Sequence, residues 1–377
     1  MRVDKTKWIN SNIVDSCDIQ LGTRIVKKQA EEGDFPVYGG GGVTFTTNTY
    51  NRENAILISR FALSKECTRF VSGKFYLNDS GLTLVPKSES KSIILDFLKW
   101  QIFSLNDKIY NLARGAAQKN LDMKRFPLLP ILIPTLFEQQ SIASELDAIQ
   151  TMIDGYKAQL EDLDTLAQSI FLDMFGDPVS NPKGWEMKKF SDVCEVTSSK
   201  RIYQSEQTKS GVPFFRIGDF TKLIKEGEIV PELYISQETY KKFKSKNLVP
   251  SKNDILITSR GTLGLCYIMK ESDCFYFQDG MITWLKDIKE NLSSTFLSYI
   301  IKSSFFREQI QKAQNGSTIS YLSISMIKRF YIPVPPLALQ QQFAKKAEAI
   351  ERQKELFRQQ LADAEQLMAE RMQYYFS

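Results

Sequence analysis

The sequence predicts an α+β protein with an internal two-fold pseudo-repeat. Two globular domains are each followed by a long α-helix, and the two helices pair as an antiparallel coiled coil. Three observations carry this. The stretch beginning at Pro134 aligns without a gap on the stretch beginning at Pro335, at an offset of 201. Both stretches place apolar residues at alternating steps of four and three, the 3.5-residue repeat of a coiled-coil seam. The segments ahead of them hold short apolar runs bounded by Gly, Asn, Asp and Ser, the pattern of buried strands between turns.

Each copy opens on related residues: Trp8, Asp15, Cys17 and Pro36 match Trp185, Asp192, Cys194 and Pro213 at an offset of 177. Asn54 and Ile56-Leu57-Ile58 match Asn253 and Ile255-Leu256-Ile257 at 199, and Phe75-Tyr76 and Asp79 match Phe275-Tyr276 and Asp279 at 200. AILIS, DILIT, FYL and FYF are expected strands, and ILDFLKWQIFSL and STFLSYIIKSSFF expected helices. The second copy carries 22 extra residues between Pro213 and Asn253, an expected long loop. The first tail has its seam at Ile142, Leu146, Ile149, Ile153, Tyr156, Leu160, Leu163, Ala167, Ile170 and Met174. The second has Phe343, Ala347, Ile350, Phe357, Leu361, Ala364, Met368 and Tyr375, interrupted by Lys354 and Arg371, whose aliphatic stems are expected to cover it. Two matched stripes, each following a proline, favour paired long helices over ordinary core helices.

A length of 377 residues suits two or three domains. The chain has no histidine, which excludes a Ser-His-Asp or Cys-His nucleophile, histidine-ligated metal and imidazole base catalysis. Its five scattered cysteines form no C-x-x-C pair and are expected as reduced thiols. No apolar run approaches a membrane span of about 18 residues, and MRVDKTKWIN lacks the apolar core of a signal peptide, so a cytoplasmic protein is expected. The net charge of +5 divides unevenly: residues 1–134 carry +6, 135–177 carry −8, 178–335 carry +7 and 336–377 carry 0. Positive charge therefore lies on the globular parts, as expected if they meet a polyanion and the helices do not. A solvated surface explains each charge alone equally well.

Motifs for chemistry in this chain are poor. There is no phosphate-binding G-x4-G-K-[ST] and no N-P-P-Y or D-P-P-Y methyltransferase segment. Glu186-Met187-Lys188 has the E-x-K spacing of metal nucleases, but its repeat mate is Ile9-Asn10-Ser11, and it reads as coincidence. The run Gly39 to Gly42 either brings backbone close to a phosphate or forms a flexible turn.

The segment Pro134-Thr135-Leu136-Phe137-Glu138-Gln139-Gln140 and its mate Pro335-Pro336-Leu337-Ala338-Leu339-Gln340-Gln341 complete a pattern. With it stand the W-x8-C starts, the segments Gly115 to Leu121 and Gly316 to Leu322, and the ILI-(T)-S-R segments ending at Arg60 and Arg260. Over the whole chain this resembles the specificity (S) subunit of type I restriction-modification enzymes. Leu339, where the first copy has Glu138, departs from the pattern. The resemblance implies target recognition domains at 1–134 and 178–335 and conserved coiled-coil helices at 135–177 and 336–377. It implies a non-catalytic, cofactor-free chain that reads one half of a split double-stranded DNA target with each domain. Two modification (methyltransferase) subunits using S-adenosylmethionine would clasp the helices, and restriction (translocase/nuclease) subunits using ATP and Mg would join them. The alternative is a coiled-coil adaptor without DNA readout.

The DNA-facing candidates are Tyr38 and Gly40 at the glycine run, Lys119, Ser317 and Thr318 in the G-x5-L segments, and Arg60 and Arg260 after the ILI runs, where a cationic fork can leave the core. The second-copy insertion adds Lys222, Lys225, Lys241, Lys242, Lys244 and Lys246. An internal salt bridge is the structural alternative for the two arginines. The partner-facing candidates are Gln139, Gln140, Gln340 and Gln341.

Overall fold

The computed structural model describes residues 3–87, 92–115, 118–227, 229–314 and 321–377. Its chain divides into two compact units, residues 1–158 with 358–377, and residues 159–357.

In the first unit, six strands lie in the order Cys17–Leu21, Gly81–Pro86, Arg52–Ser59, Thr68–Leu77, Phe35–Gly39 and Gly42–Thr47. All neighbours are antiparallel except Phe35–Gly39, which runs parallel to Thr68–Leu77. The run AILI is continuously apolar because its strand is covered on both faces. Ile56 and Ile58 join Leu82, Leu84, Phe97, Leu98 and Ile102, the last three from helix Leu95–Ser104, whereas Ala55 and Leu57 join Val71, Phe75 and Leu77. Strands Ile9–Asn12 and Pro130–Ile133 pair as a ribbon ahead of the long helix.

The second unit repeats this frame in two sheets. One orders Glu195–Ser198, Ile282–Lys286, Ile255–Thr258 and Cys266–Ile268; the other orders Gln207–Thr208, Tyr234–Ile235, Val212–Phe215 and Tyr276–Phe277. The single strand Thr68–Leu77 is here divided into Cys266–Ile268 and Tyr276–Phe277, because the chain turns between them through Lys270 and Asp273, whose backbone N–H and carboxylate bond at 2.7 Å. Val212–Phe215 keeps the parallel neighbour seen in the first unit, and Tyr331–Val334 with Glu186–Lys189 repeat the ribbon. Helices Ser294–Lys302 and Ser304–Gln314 cover STFLSYIIKSSFF. Asn54 and Asn253, paired by the repeat, both have left-handed φ (43° and 70°), a conformation asparagine tolerates better than most residues.

The insertion is not a loop. Its residues form helix Ile217–Glu226, strand Tyr234–Ile235 and helix Gln237–Lys244. Its apolar side chains join small cores with residues of the neighbouring strands. Tyr240 and Phe243 pack with Ile202, Val212, Phe214, Ile235 and Tyr276, and Phe220 packs with Phe215, Leu256 and Trp284.

The long helices run Leu136–Phe175 and Leu337–Phe376, 40 residues each. Their pairing is antiparallel: in the first unit Ile149 and Ile153 meet Ala364, and in the second Phe171 and Phe175 meet Phe343. Every expected seam residue is buried or half-buried. Lys354 and Arg371 do more than lend their stems. Lys354, 8% exposed, donates to Asp164 (2.7 Å) and Glu351 (3.2 Å), while Arg371 binds Glu145 and the Tyr375 hydroxyl. A buried cation needs an anion, and these partners lie across the seam or one turn along the helix. The first helix opens on a capping box, Thr135 N–H to Glu138 Oε2 (3.1 Å) and Glu138 N–H to Thr135 Oγ1 (3.3 Å). The second, with Leu339 in place of Glu138, opens after Pro335-Pro336 instead.

Candidate nucleic-acid interface

The first domain's candidates Tyr38, Gly40, Arg60 and Lys119 come together at one end of the six-stranded sheet through a chain of backbone contacts. Strands Phe35–Gly39 and Gly42–Thr47 pair Gly39 with Gly42, so Gly40-Gly41 is a two-residue hairpin turn. A β-bulge at Val37/Tyr38 precedes it, and the Tyr38 ring packs edge-on against Phe75 at 5.4 Å. The turn is tied down rather than flexible. Gly40 N–H donates to Ser80 Oγ (3.0 Å), and its carbonyl accepts from Ser59 Oγ (2.6 Å) and Arg69 Nη2 (3.0 Å). A Cβ on Gly40 would meet the carbonyl oxygens of Ser80 and Phe61 at 3.2 and 3.3 Å, whereas one on Gly41 would meet nothing within 4 Å.

Arg60 follows directly. Its N–H donates to Ser80 O and its carbonyl accepts from Leu121 N, fixing the main chain at the strand end. Its guanidinium donates from Nη1 to Asp79 O at 3.0 Å and lies 4.9 Å over the exposed Phe61 ring, with Nε buried and unbonded among the described residues. Among the described residues Arg60 forms no ion pair, so it is a braced cation rather than half of an internal salt bridge. Lys119 holds Leu63 N with its carbonyl and sits 4.1 Å over the Tyr110 ring, its ammonium bonding the Tyr110 hydroxyl at 2.8 Å.

Ladder register changes the pairing of the two arginines. Ser259 N–H donates to Met281 O and Ser259 O accepts from Leu322 N, the two bonds that Arg60 makes in the first domain. Thr258 opposes Ile282 as Ser59 opposes Gly81, so Ser259 takes the place of Arg60 and Arg260 that of Phe61. One residue further along, Arg260 is exposed and stacks 4.9 Å over Tyr321. Ser317, Thr318 and Gly316 lie outside the described residues.

Lys222 and Lys225 are exposed on helix Ile217–Glu226, and Lys241, Lys242 and Lys244 on helix Gln237–Lys244, with Lys246 just beyond. No hydrogen bond or ion pair of the described residues engages these six ammonium groups. Arg216, by contrast, is held by Asp219 (3.1 Å), which raises its basicity, and by Glu232 (2.7 Å). Lys200 and Arg201 join this surface without having been singled out from sequence. Lys200 lies 5.7 Å over the Phe243 ring of the lysine-bearing helix, its N–H bonded to the buried Tyr276 hydroxyl, and Arg201 pairs with Asp279 at 3.0 Å. Burial pushes the Tyr276 phenol up to about 12, so it stays a neutral acceptor.

The glutamine pairs split. Gln139 and Gln340 are 0% exposed and bind within their own domains, so neither reaches a partner's surface. Gln139 Oε1 accepts from Ile94 N (2.9 Å) and Nε2 donates to Ser92 O (2.6 Å) and Pro134 O (2.9 Å). Gln340 repeats this on Ser293 N, Asn291 O and Pro335 O. Gln140 and Gln341 are exposed. Among the described residues no group of three or more Cys, Asp or Glu could hold a metal, and no helix is long and apolar enough to cross a membrane.

A family model, the type I restriction modification DNA specificity domain, matches residues 5–163 and 182–366. The chain belongs to this specificity family. A putative type I restriction enzyme specificity subunit of Haemophilus influenzae is 25% identical over 332 residues, covering 81% of this chain and 77% of that protein. A type I restriction enzyme specificity subunit of Methanocaldococcus jannaschii is 24% identical over 300 residues, 74% of this chain and 70% of that one. In fold, the chain is similar to the crystal structure of a type I restriction-modification S subunit from M. genitalium, with a TM-score of 0.66 at 16% identity, covering 100% of this chain and 98% of that one.

Within the specificity frame, Arg69 is the residue that sequence reasoning missed most plainly. It is the second residue of strand Thr68–Leu77 and carries no motif; only the sheet brings it against the glycine turn.

Proposed function

We propose that the chain is the DNA-reading subunit of a type I restriction-modification complex. Residues 1–134 and 178–335 each read one half of a bipartite duplex target, and helices 135–177 and 336–377 scaffold two modification (methyltransferase) subunits through surfaces that include Gln140 and Gln341. Restriction (translocase/nuclease) subunits join the assembly. The chain itself is non-catalytic: S-adenosylmethionine, ATP and Mg serve the partner subunits, and the complex works in the cytoplasm. The observation that carries this reading is duplication with divergence in a specificity-family chain: one frame occurs twice, yet the glycine turn that joins two strands in one copy gives way to lysine-bearing helix Ile217–Glu226 in the other, with a second lysine-bearing helix, Gln237–Lys244, after the next strand. Repeated frames suit two copies of one partner, and unlike elements suit unlike half-sites. Unpaired ammonium groups on the inserted helices supply the polyanion contact.

Co-expression with its modification subunit in a host free of adenine methylation tests it. Long-read sequencing should reveal one bipartite methylated motif, absent when either protein is expressed alone. Methylation by this chain alone, or none with its partner, would overturn the reading.

A further inference from the structure

Each domain anchors its variable element from the same place in its sheet. Leu57 in the first I-L-I strand is paired with Arg69, and Leu256 in the second with Tyr267. The strands that lead into the variable elements, Phe35–Gly39 and Val212–Phe215, are likewise equivalent, each running parallel to its neighbour. Beyond those strands the copies part: the first makes the Gly40-Gly41 turn, the second the helix Ile217–Glu226.

We propose that this shared ladder position is a specificity anchor: Arg69 positions the glycine turn against one half-site of duplex DNA, and Tyr267 positions helix Ile217–Glu226 against the other. The inference rests on the DNA-reading function above. Arg69 lays its guanidinium across the turn, Nη2 on Gly40 O at 3.0 Å and Nη1 where a Cβ on Gly42 would come within 3.3 Å. Gly42 has φ +126°, a conformation that other residues rarely adopt. With Ser59 and Ser80 completing the bonds of Gly40, both its backbone polar groups point inward, and the open Gly41 is left to approach a ligand. An arginine committed to a carbonyl in this way acts through the turn.

Tyr267 does the same work with an apolar ring. It meets Phe220 of the helix edge-on at 6.2 Å and Phe275 at 6.3 Å, and its hydroxyl donates to Asp273 at 3.2 Å. Burial pushes its phenol well above the ordinary tyrosine range, so it remains a donor. Phe220 is fully buried, which directs Lys222 and Lys225 of the same helix to solvent.

The test selects a random duplex library on the full chain assembled with its modification subunits. Arg69→Ala should flatten base preference at one half-site, with a loss of enrichment of roughly tenfold, about that of one misplaced base contact. The other half-site should be untouched, and Tyr267→Ala should give the converse. Tyr267→Phe, which keeps the ring, should restore preference; Arg69→Lys, which loses the fork, should not. Arg69→Ala should also leave the salt slope of affinity unchanged, because a lost phosphate contact would lower it by about 0.9. Hydrogen exchange on the free chain should show faster exchange at Gly41 and Gly42 in Arg69→Ala. Unchanged preference at both half-sites, a slope reduced by about one with preference intact, or Tyr267→Phe as damaging as Tyr267→Ala would each overturn the anchor. If the wild-type assembly selects no sequence, the DNA-reading function fails instead, and the exchange measurement still decides whether Arg69 holds the turn.

Discussion

Replacing Gln139 with alanine separates a residue that holds a domain together from one that meets a partner. The carboxamide is completely buried and makes three hydrogen bonds, to Ile94 N, Ser92 O and Pro134 O. At a net contribution of about 0.5–1.5 kcal/mol each, their loss should destabilise the chain by about 2–4 kcal/mol, with the half-buried Ile94 N–H losing its acceptor. Gln340→Ala removes the same three kinds of bond, so the two variants should cost nearly the same. Gln140→Ala and Gln341→Ala, at exposed positions one residue on, should stay within about 0.5 kcal/mol of wild type. Urea denaturation of the full chain measures the cost, and hydrogen exchange at the amides of Ile94 and Ser293 locates it. Adenine methylation by the assembled complex supplies the other axis: Gln140→Ala with Gln341→Ala should reduce it in a chain that folds normally. The reasoning is refuted if Gln139→Ala folds as stably as wild type yet abolishes methylation, since its amide would then serve the partner.

Changing Lys241, Lys242, Lys244 and Lys246 together to glutamine should weaken duplex binding and lower its salt slope by up to about 3.6, at about 0.9 per phosphate contact, with unfolding unchanged. Arg60→Ala and Arg260→Ala should each disturb one half-site, read by library selection, but only Arg60, braced on Asp79 O, should also cost about 1 kcal/mol of stability. A thiol reagent at pH 8 should label Cys274 alone in the native chain. Cys17 and Cys194, pushed up to about 12, and Cys67 and Cys266, to about 11, are buried and should react only after unfolding. Burial raises the Asp254 carboxyl above the ordinary aspartate value despite bonds from Ser251 N–H and Trp284 Nε1. A raised folded value means that its contribution is whole below about pH 4 and is lost as pH rises through the folded value. Asp254→Asn should therefore flatten the stability profile above that pH, measured by urea denaturation.

The amino-acid sequence by itself determined the duplication, the two long helices and the apolar strands, because each is written as a linear signal: identity at a fixed offset, a 3.5-residue period, a run of I-L-I between turn residues. It also determined that charge lies on the domains, since composition needs no folding to be read. Tertiary structure decided the rest. The insertion reads as polar and irregular along the chain, yet Phe220, Tyr240 and Phe243 find apolar partners supplied by other strands and so become helical anchors. Lys354 and Arg371 look like faults in a seam until Asp164 and Glu145, each about 190 or more residues away in sequence, meet them. Gln139 and Gln140 are the same residue type side by side, and only the helix turn sends one inward to Ser92 O, 47 residues back, and the other to solvent. Arg69 gained its role only through the ladder that sets it beside the glycine turn. A periodic pattern survives in one dimension, whereas a hydrogen-bond partner is chosen by distance in three.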